Sequence, residues 1–131
     1  MVVVDASVLV EAFATEAHRR GIARKVLLEN RVAVPDHAYV ETAAALRQLW
    51  LASRVSESRL EASIAALSRL PCRSYPTAPF LMRAHGLRHN VSPYDAVYVA
   101  LAEGLGCPLV TADRRLAAAP GVRCEIRLIE D

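Results

Sequence analysis

Two regimes of apolar residues alternate along this chain. Short uninterrupted runs at 1–4, 32–34 and 109–111 have the look of parallel strands covered on both faces, and longer stretches at helical spacing separate them. After the first run come Asp5, Ala6 and Ser7, with Ser7 as the expected cap of an apolar helix over 8–13. A basic amphipathic helix follows over 16–30, setting Ile22, Val26 and Leu27 against Arg19, Arg20, Arg24 and Lys25. Asp36 or His37 opens a long helix through Val40, Ala44, Leu46, Leu49 and Trp50. Ser56, or the box from Ser58 to Glu61, announces another over 57–70, and the two form a helical hairpin expected to project from the sheet. A short third strand is expected at 72–75 between Pro71 and Pro76, then a modest helix over 78–88. Ser92, Pro93 and Asp95 carry the signals of a helix start. The residues that follow are apolar on every side, which predicts a buried helix stopped by Gly104 and Gly106. A short helix over 114–119, ended by Pro120 and Gly121, and an edge-like strand within 122–129 complete an alternating β-α order, hence an α/β fold.

This order places acids together. The 92–105 helix runs about 16 Å, and the strand after it climbs back roughly 13 Å. Asp95 and Asp113 therefore return to the carboxyl edge of the sheet, where open α/β sheets build their sites. Asp5 leaves the first strand at that edge, and Glu41 lies early in the helix after the second, so four carboxylates are expected to converge.

Composition narrows the class. The 131 residues are 53% hydrophobic and 23% charged, which fits one compact domain over 1–131 and excludes a disordered chain. Sixteen basic residues against fourteen acidic ones leave a net charge of +2, too even to mark nucleic-acid binding except through local patches. Cys72, Cys107 and Cys124 lack CxxC spacing and read as small core residues with free thiols. No signal-peptide pattern or charge-free window of membrane length is present, so the expectation is a cytoplasmic protein with no membrane partner.

Crowded carboxylates raise one another's proton affinity, and a cation relieves them. Oxygen-only ligands favour Mg²⁺ or Mn²⁺ over zinc, and such an ion polarises a phosphoryl oxygen and activates water, which suits phosphodiester hydrolysis. Each acid also has a purely structural reading: Asp95 as a cap, Asp5 and Asp113 as turn residues, Glu41 as a first-turn charge. From spacing alone both readings stand. His37 and His89 are candidate bases but read first as solvated loop residues, and the 19–25 basic face as a solvated helix face. A metal phosphatase would want Asp-x-Asp after the first strand, where this chain has Asp5, Ala6, Ser7.

The stretches VVVDASVLVEAF (2–13), VPDHAYVETAAAL (34–46), SPYDAVYVALA (92–102) and LVTADRRL (109–116) resemble, in order and over nearly the whole chain, the signatures of the PIN domain, in particular the short VapC-type toxins of toxin-antitoxin pairs. The resemblance implies a three-layer α/β/α domain with a parallel sheet in the order 3-2-1-4-5 and a Mg²⁺-dependent endoribonuclease site, with Mn²⁺ as a substitute. Asp5, Glu41, Asp95 and Asp113 would be its catalytic acids. Asp5, Asp95 and Asp113 would be the metal ligands, Asp5 and Asp95 foremost, with Ser7 and Thr111 in support. It further implies an RNA substrate, a VapB-like antitoxin whose C-terminal segment covers the pocket, and a homodimer, for which the 8–13 face and the hairpin with Trp50 are candidate surfaces. The rival is a non-catalytic module that binds RNA or protein at the same edge, against which the retention of all four acids argues.

Overall fold

The computed structural model describes residues 1–14 and 16–130. The strands are β1 (Val2–Val4), β2 (Val32–Pro35), β3 (Arg73–Tyr75), β4 (Leu109–Thr111) and β5 (Ile126–Leu128). They form one parallel sheet in the order β3-β2-β1-β4-β5. Successive strand residues point to opposite faces, yet all three residues of β1 and of β4 are buried. Both faces are therefore covered, which is why these strands carry no polar alternation. β3 and β5, at the edges, carry exposed Arg73 and Arg127.

The helices are α1 (Ala6–Ala14), α2 (Ala17–Glu29), α3 (Ala38–Leu51), α4 (Glu57–Ser68), α5 (Leu81–Gly86), α6 (Pro93–Leu105) and α7 (Arg114–Ala117), with a 3₁₀ turn at Ala78–Phe80. α6 packs on β1, β2 and β4 and against α5, while α1 packs on β4 and against α2, α3 and α4. Ser92 caps α6 and Ser56 caps α4, each hydroxyl accepting a backbone N–H three residues on. α6 is buried along seven consecutive residues, Ala96–Ala102. It ends at Gly106, whose φ of 64° is the left-handed conformation a glycine cap supplies. Gly104 is not a stop: it lies inside the helix, where a Cβ would meet the Phe80 ring at 3.2 Å. Among the described residues no helix is long and apolar enough to cross a membrane.

Several expectations change. α1 starts at Ala6, and Asp5 rather than Ser7 caps it, through the Val8 N–H at 3.3 Å. Within 8–13, Val8, Leu9 and Ala12 are fully buried in the core, while Val10 and Phe13 are half-buried. Trp50, a candidate surface residue of the hairpin, is 37% exposed near the end of α3 beside exposed Leu51. The basic face of α2 is partly spent on packing: Arg19 forms a two-point pair with Glu11 at 2.6 and 2.9 Å, and Arg24 Nε donates to the Ala12 carbonyl. These contacts fasten α2 onto α1. The three cysteines are free and half-buried against the core.

Candidate active site

All five strands run the same way, so every strand exit opens on one edge. Asp5 follows β1, Thr111 closes β4 with Asp113 two residues on, and Glu41 sits in the first turn of α3 after β2. Asp95 is in the first turn of α6, which runs back toward the start of β4 and so begins at this edge. Repulsion links the four carboxylates directly: Asp95 with Asp113, Asp5 with Asp95, and Glu41 with both Asp95 and Asp5.

Asp5 is the buried member, 4% exposed. The Ser7 hydroxyl donates to its Oδ1 and the Thr111 hydroxyl to its Oδ2, each at 2.5 Å. Those hydroxyls are held in turn, since Ala112 N–H donates to Ser7 Oγ at 2.9 Å and Asp113 N–H to Thr111 Oγ1 at 3.0 Å. One network thus joins the exits of β1 and β4. Burial pushes the Asp5 carboxyl up; the hydrogen bonds from Ser7, Thr111 and Val8 pull it down without overcoming burial, and the charge of Asp95 adds to the rise. Thr111→Val keeps the shape but strips an acceptor's partner from a buried carboxylate. It should destabilise the fold by about 1–3 kcal/mol in urea titrations at neutral pH, and an unchanged midpoint would show that Thr111 does not hold Asp5.

Glu41 occupies a poorer environment. Its Oε1 is 3.5 Å from the Tyr98 hydroxyl, the outer limit of a hydrogen bond, and its Oε2 is buried with no hydrogen bond at all. His37 lies one helical turn earlier with Nε2 3.5 Å from that oxygen, but the same nitrogen is 3.1 Å from the Tyr94 carbonyl, to which it donates. Burial, then the charges of Asp95 and Asp5, raise the Glu41 carboxyl to about 7. Asp95 is also raised, by burial and by Asp113, with the Ser92 hydroxyl and His37 acting the other way. Asp113 spends Oδ1 on capping α7, accepting from the N–H groups of Arg115 and Leu116 at 2.8 and 3.4 Å, which leaves Oδ2 outside the cap.

Two residues stand differently from their reading in the sequence. His37 is no solvated loop residue: its side chain is 22% exposed, and its ring packs on Tyr98 at 4.9 Å between centroids. His89 is exposed, as expected. Tyr98, fully buried, was masked by its apolar neighbours, although its place three residues after Asp95 puts the two on one helix face. His37 lies four residues before Glu41, and that spacing was the available signal.

The donors fit a hard divalent ion. All are carboxylate oxygens, three of the four carboxyls are pushed toward their neutral forms by burial and mutual charge, and a buried Glu41 oxygen accepts no hydrogen bond. Among the described residues no three His, Cys, Asp or Glu side chains are drawn together tightly enough to cage an ion unaided.

An all-parallel 3-2-1-4-5 sheet with acids gathered at its carboxyl edge defines an α/β/α domain with an acidic edge site. The chain belongs to the PIN domain family, which matches residues 2–122. It is 43% identical over 128 residues to Ribonuclease VapC1 of Mycobacterium tuberculosis, covering 97% of this chain and 96% of that protein. It is 40% identical to Ribonuclease VapC12 of the same organism, over 98% of this chain and 99% of that protein. The fold is similar to that in the crystal structure of VapBC2 from Rickettsia felis bound to a DNA fragment from their promoter, with a TM-score of 0.68 and 11% identity over 99% of this chain and 100% of that one.

Proposed function

We propose that this protein is a Mg²⁺-dependent endoribonuclease that acts as the toxin of a toxin-antitoxin pair, hydrolysing RNA phosphodiesters at Asp5, Glu41, Asp95 and Asp113. The observation that carries the reading is the mutual charge coupling of these acids on one edge of a PIN domain, together with the unpartnered Oε2 of Glu41. The two VapC ribonuclease relatives, matched almost end to end, support the RNA substrate. The Rickettsia complex supports a small antitoxin partner.

Asp5, Asp95 and Asp113 would hold the ion, Asp5 from a rigid position set by Ser7 and Thr111, Asp95 and Asp113 from helix starts. When bound, the ion supplies charge neutralisation at the phosphoryl oxygens and a lower pKa for water. Glu41, whose Oε2 accepts no hydrogen bond and whose pKa is raised to about 7, would take a proton from attacking water. Arg115, which lines the polar cleft with Asp113, would meet a phosphate flanking the scissile one, and exposed Arg114, paired with Glu130 at 3.6 Å, would meet another on leaving that pair. The homodimer implied by the resemblance is carried here as a further part of the proposal, checked by sedimentation of the purified chain.

The test is direct. Protein freed of any antitoxin should cleave single-stranded or looped RNA with Mg²⁺ or Mn²⁺, stop on addition of EDTA, and slow as salt screens the arginine-phosphate contacts. Full-rate cleavage in EDTA, with contaminating nuclease excluded, overturns the metal site. Binding without cleavage under any divalent ion would favour the non-catalytic module.

A further inference from the structure

Two clefts open at the start of α6, one lined by Ser92 and Asp95 and the other by Pro93 and Tyr94. One, about 220 Å³, is polar and includes Ser92, Asp95, Asp113 and Arg115 in its lining. The other, about 210 Å³, is lined by His37, Thr77, Leu81, Pro93, Tyr94 and Val97. Tyr94 links them: it precedes Asp95 in the chain, yet its side chain is turned out and 68% exposed. The cleft has a firm wall. His37 Nε2 donates to the Tyr94 carbonyl at 3.1 Å, the His37 ring stands 6.5 Å from the Tyr94 ring at 41°, and its other neighbour is the buried Tyr98 ring. Leu81, 51% exposed, forms part of the facing side. Core packing does not account for a tyrosine so exposed one residue before Asp95.

We infer that this aromatic cleft is a nucleobase subsite, which stacks one unpaired base of the RNA on Tyr94 while the adjoining phosphate lies over the carboxylates and Arg115. The inference rests on the ribonuclease reading above and names how that site grips its substrate. Its physical basis is the pairing of clefts. A single RNA strand presents an anion and a flat apolar ring at each step, and proteins read such strands by splaying bases onto aromatic side chains beside a charged backbone track. The two clefts meet those two demands across one residue boundary. The size also discriminates, because the apolar cleft falls below the roughly 300–1,000 Å³ of sites that enclose drug-sized ligands and suits one planar heterocycle. A protein helix would need a groove with anchors over two turns.

The experiment has one arm that reads binding and one that reads catalysis. In the first, the full-length Asp95→Asn protein carries isotope-labelled tyrosines, and the Tyr94 ring signals are assigned by their loss in Tyr94→Phe. A short random-sequence single-stranded RNA should move those signals upfield through the ring current of the stacked base, and an abasic strand of the same length should not. In the second, Tyr94→Ala should lower kcat/KM for the same RNA by about tenfold, mainly through KM, while Tyr94→Phe, which keeps the stacking face, restores it. Tyr94 signals that stay put while other signals report RNA binding overturn the subsite. So does a folded Tyr94→Ala protein with an unchanged KM, even if it has lost affinity for an antitoxin. Wild-type protein that cleaves no RNA but still shows the base-dependent Tyr94 shift would defeat the ribonuclease reading and leave the subsite standing. Absence of both cleavage and shift defeats the two together.

Discussion

Expression of the wild-type chain should arrest growth, and Asp95→Asn should abolish RNA cleavage and relieve that arrest while the fold persists. Asparagine retains the size of the side chain, and the cap of α6 is supplied by Ser92, whose hydroxyl accepts the residue-95 backbone N–H and is untouched by the change. What disappears is a charge that faces Asp5, Glu41 and Asp113 together. Loss of an outer partner of a metal ligand costs 10–100-fold, so loss of a ligand should exceed about 100-fold in kcat/KM. Single-turnover cleavage with saturating Mg²⁺ measures it, with a thermal melt to establish folding. A folded variant that cleaves and arrests growth as wild type does would remove Asp95 from the site.

The second large effect should appear in stability, without any substrate. Glu41→Gln is the informative change because the Glu41 Oε2 has no hydrogen bond to lose, whereas Asp5 is held by three donors and would surrender structure along with charge. The sign follows from linkage. The folded protein binds the Glu41 proton more tightly than the unfolded chain does, with a pKa of about 7 against an ordinary 4.5. Below the lower value the group costs nothing, and as pH rises through this window the metal-free protein loses stability. Discounted for the side chain's 30% exposure, the loss is on the order of 2 kcal/mol.

At pH 8 in EDTA the Glu41→Gln protein should therefore melt above wild type, and near pH 4 the two should melt together. Adding Mg²⁺ should raise wild type by RT ln(1 + [Mg²⁺]/Kd) and the variant by less, because a group with one negative charge fewer attracts the cation more weakly even with Asp5, Asp95 and Asp113 in place, so the curves converge or exchange order. If the acids were separate structural residues, burial of Glu41 would still give the variant an advantage at pH 8, but the variant would respond to Mg²⁺ as wild type does.

Much of this architecture is written locally. An unbroken run such as Val2–Val4 can only be a strand covered on both faces, and a serine three residues before a backbone N–H, at Ser56 or Ser92, marks a helix start wherever the chain is placed. The meeting of Asp5, Glu41, Asp95 and Asp113 was likewise legible, because parallel strands joined by helices bring every exit to one edge. Other features depend on which distant residue arrives. Ser7 serves Asp5 and meets Thr111, 104 residues away, instead of capping α1. His37 leaves solvent because α6 sets Tyr98 and the Tyr94 carbonyl against it, and Arg19 turns from solvent to Glu11. Spacing along the chain assigns a side chain to a face of its own element, since the helix and strand periods are local properties. What lies across from that face is set by the strand order and the packing of the layers. For that reason the acids could be read from sequence, while their hydrogen-bond partners and the cleft beside Tyr94 were decided only by the tertiary structure.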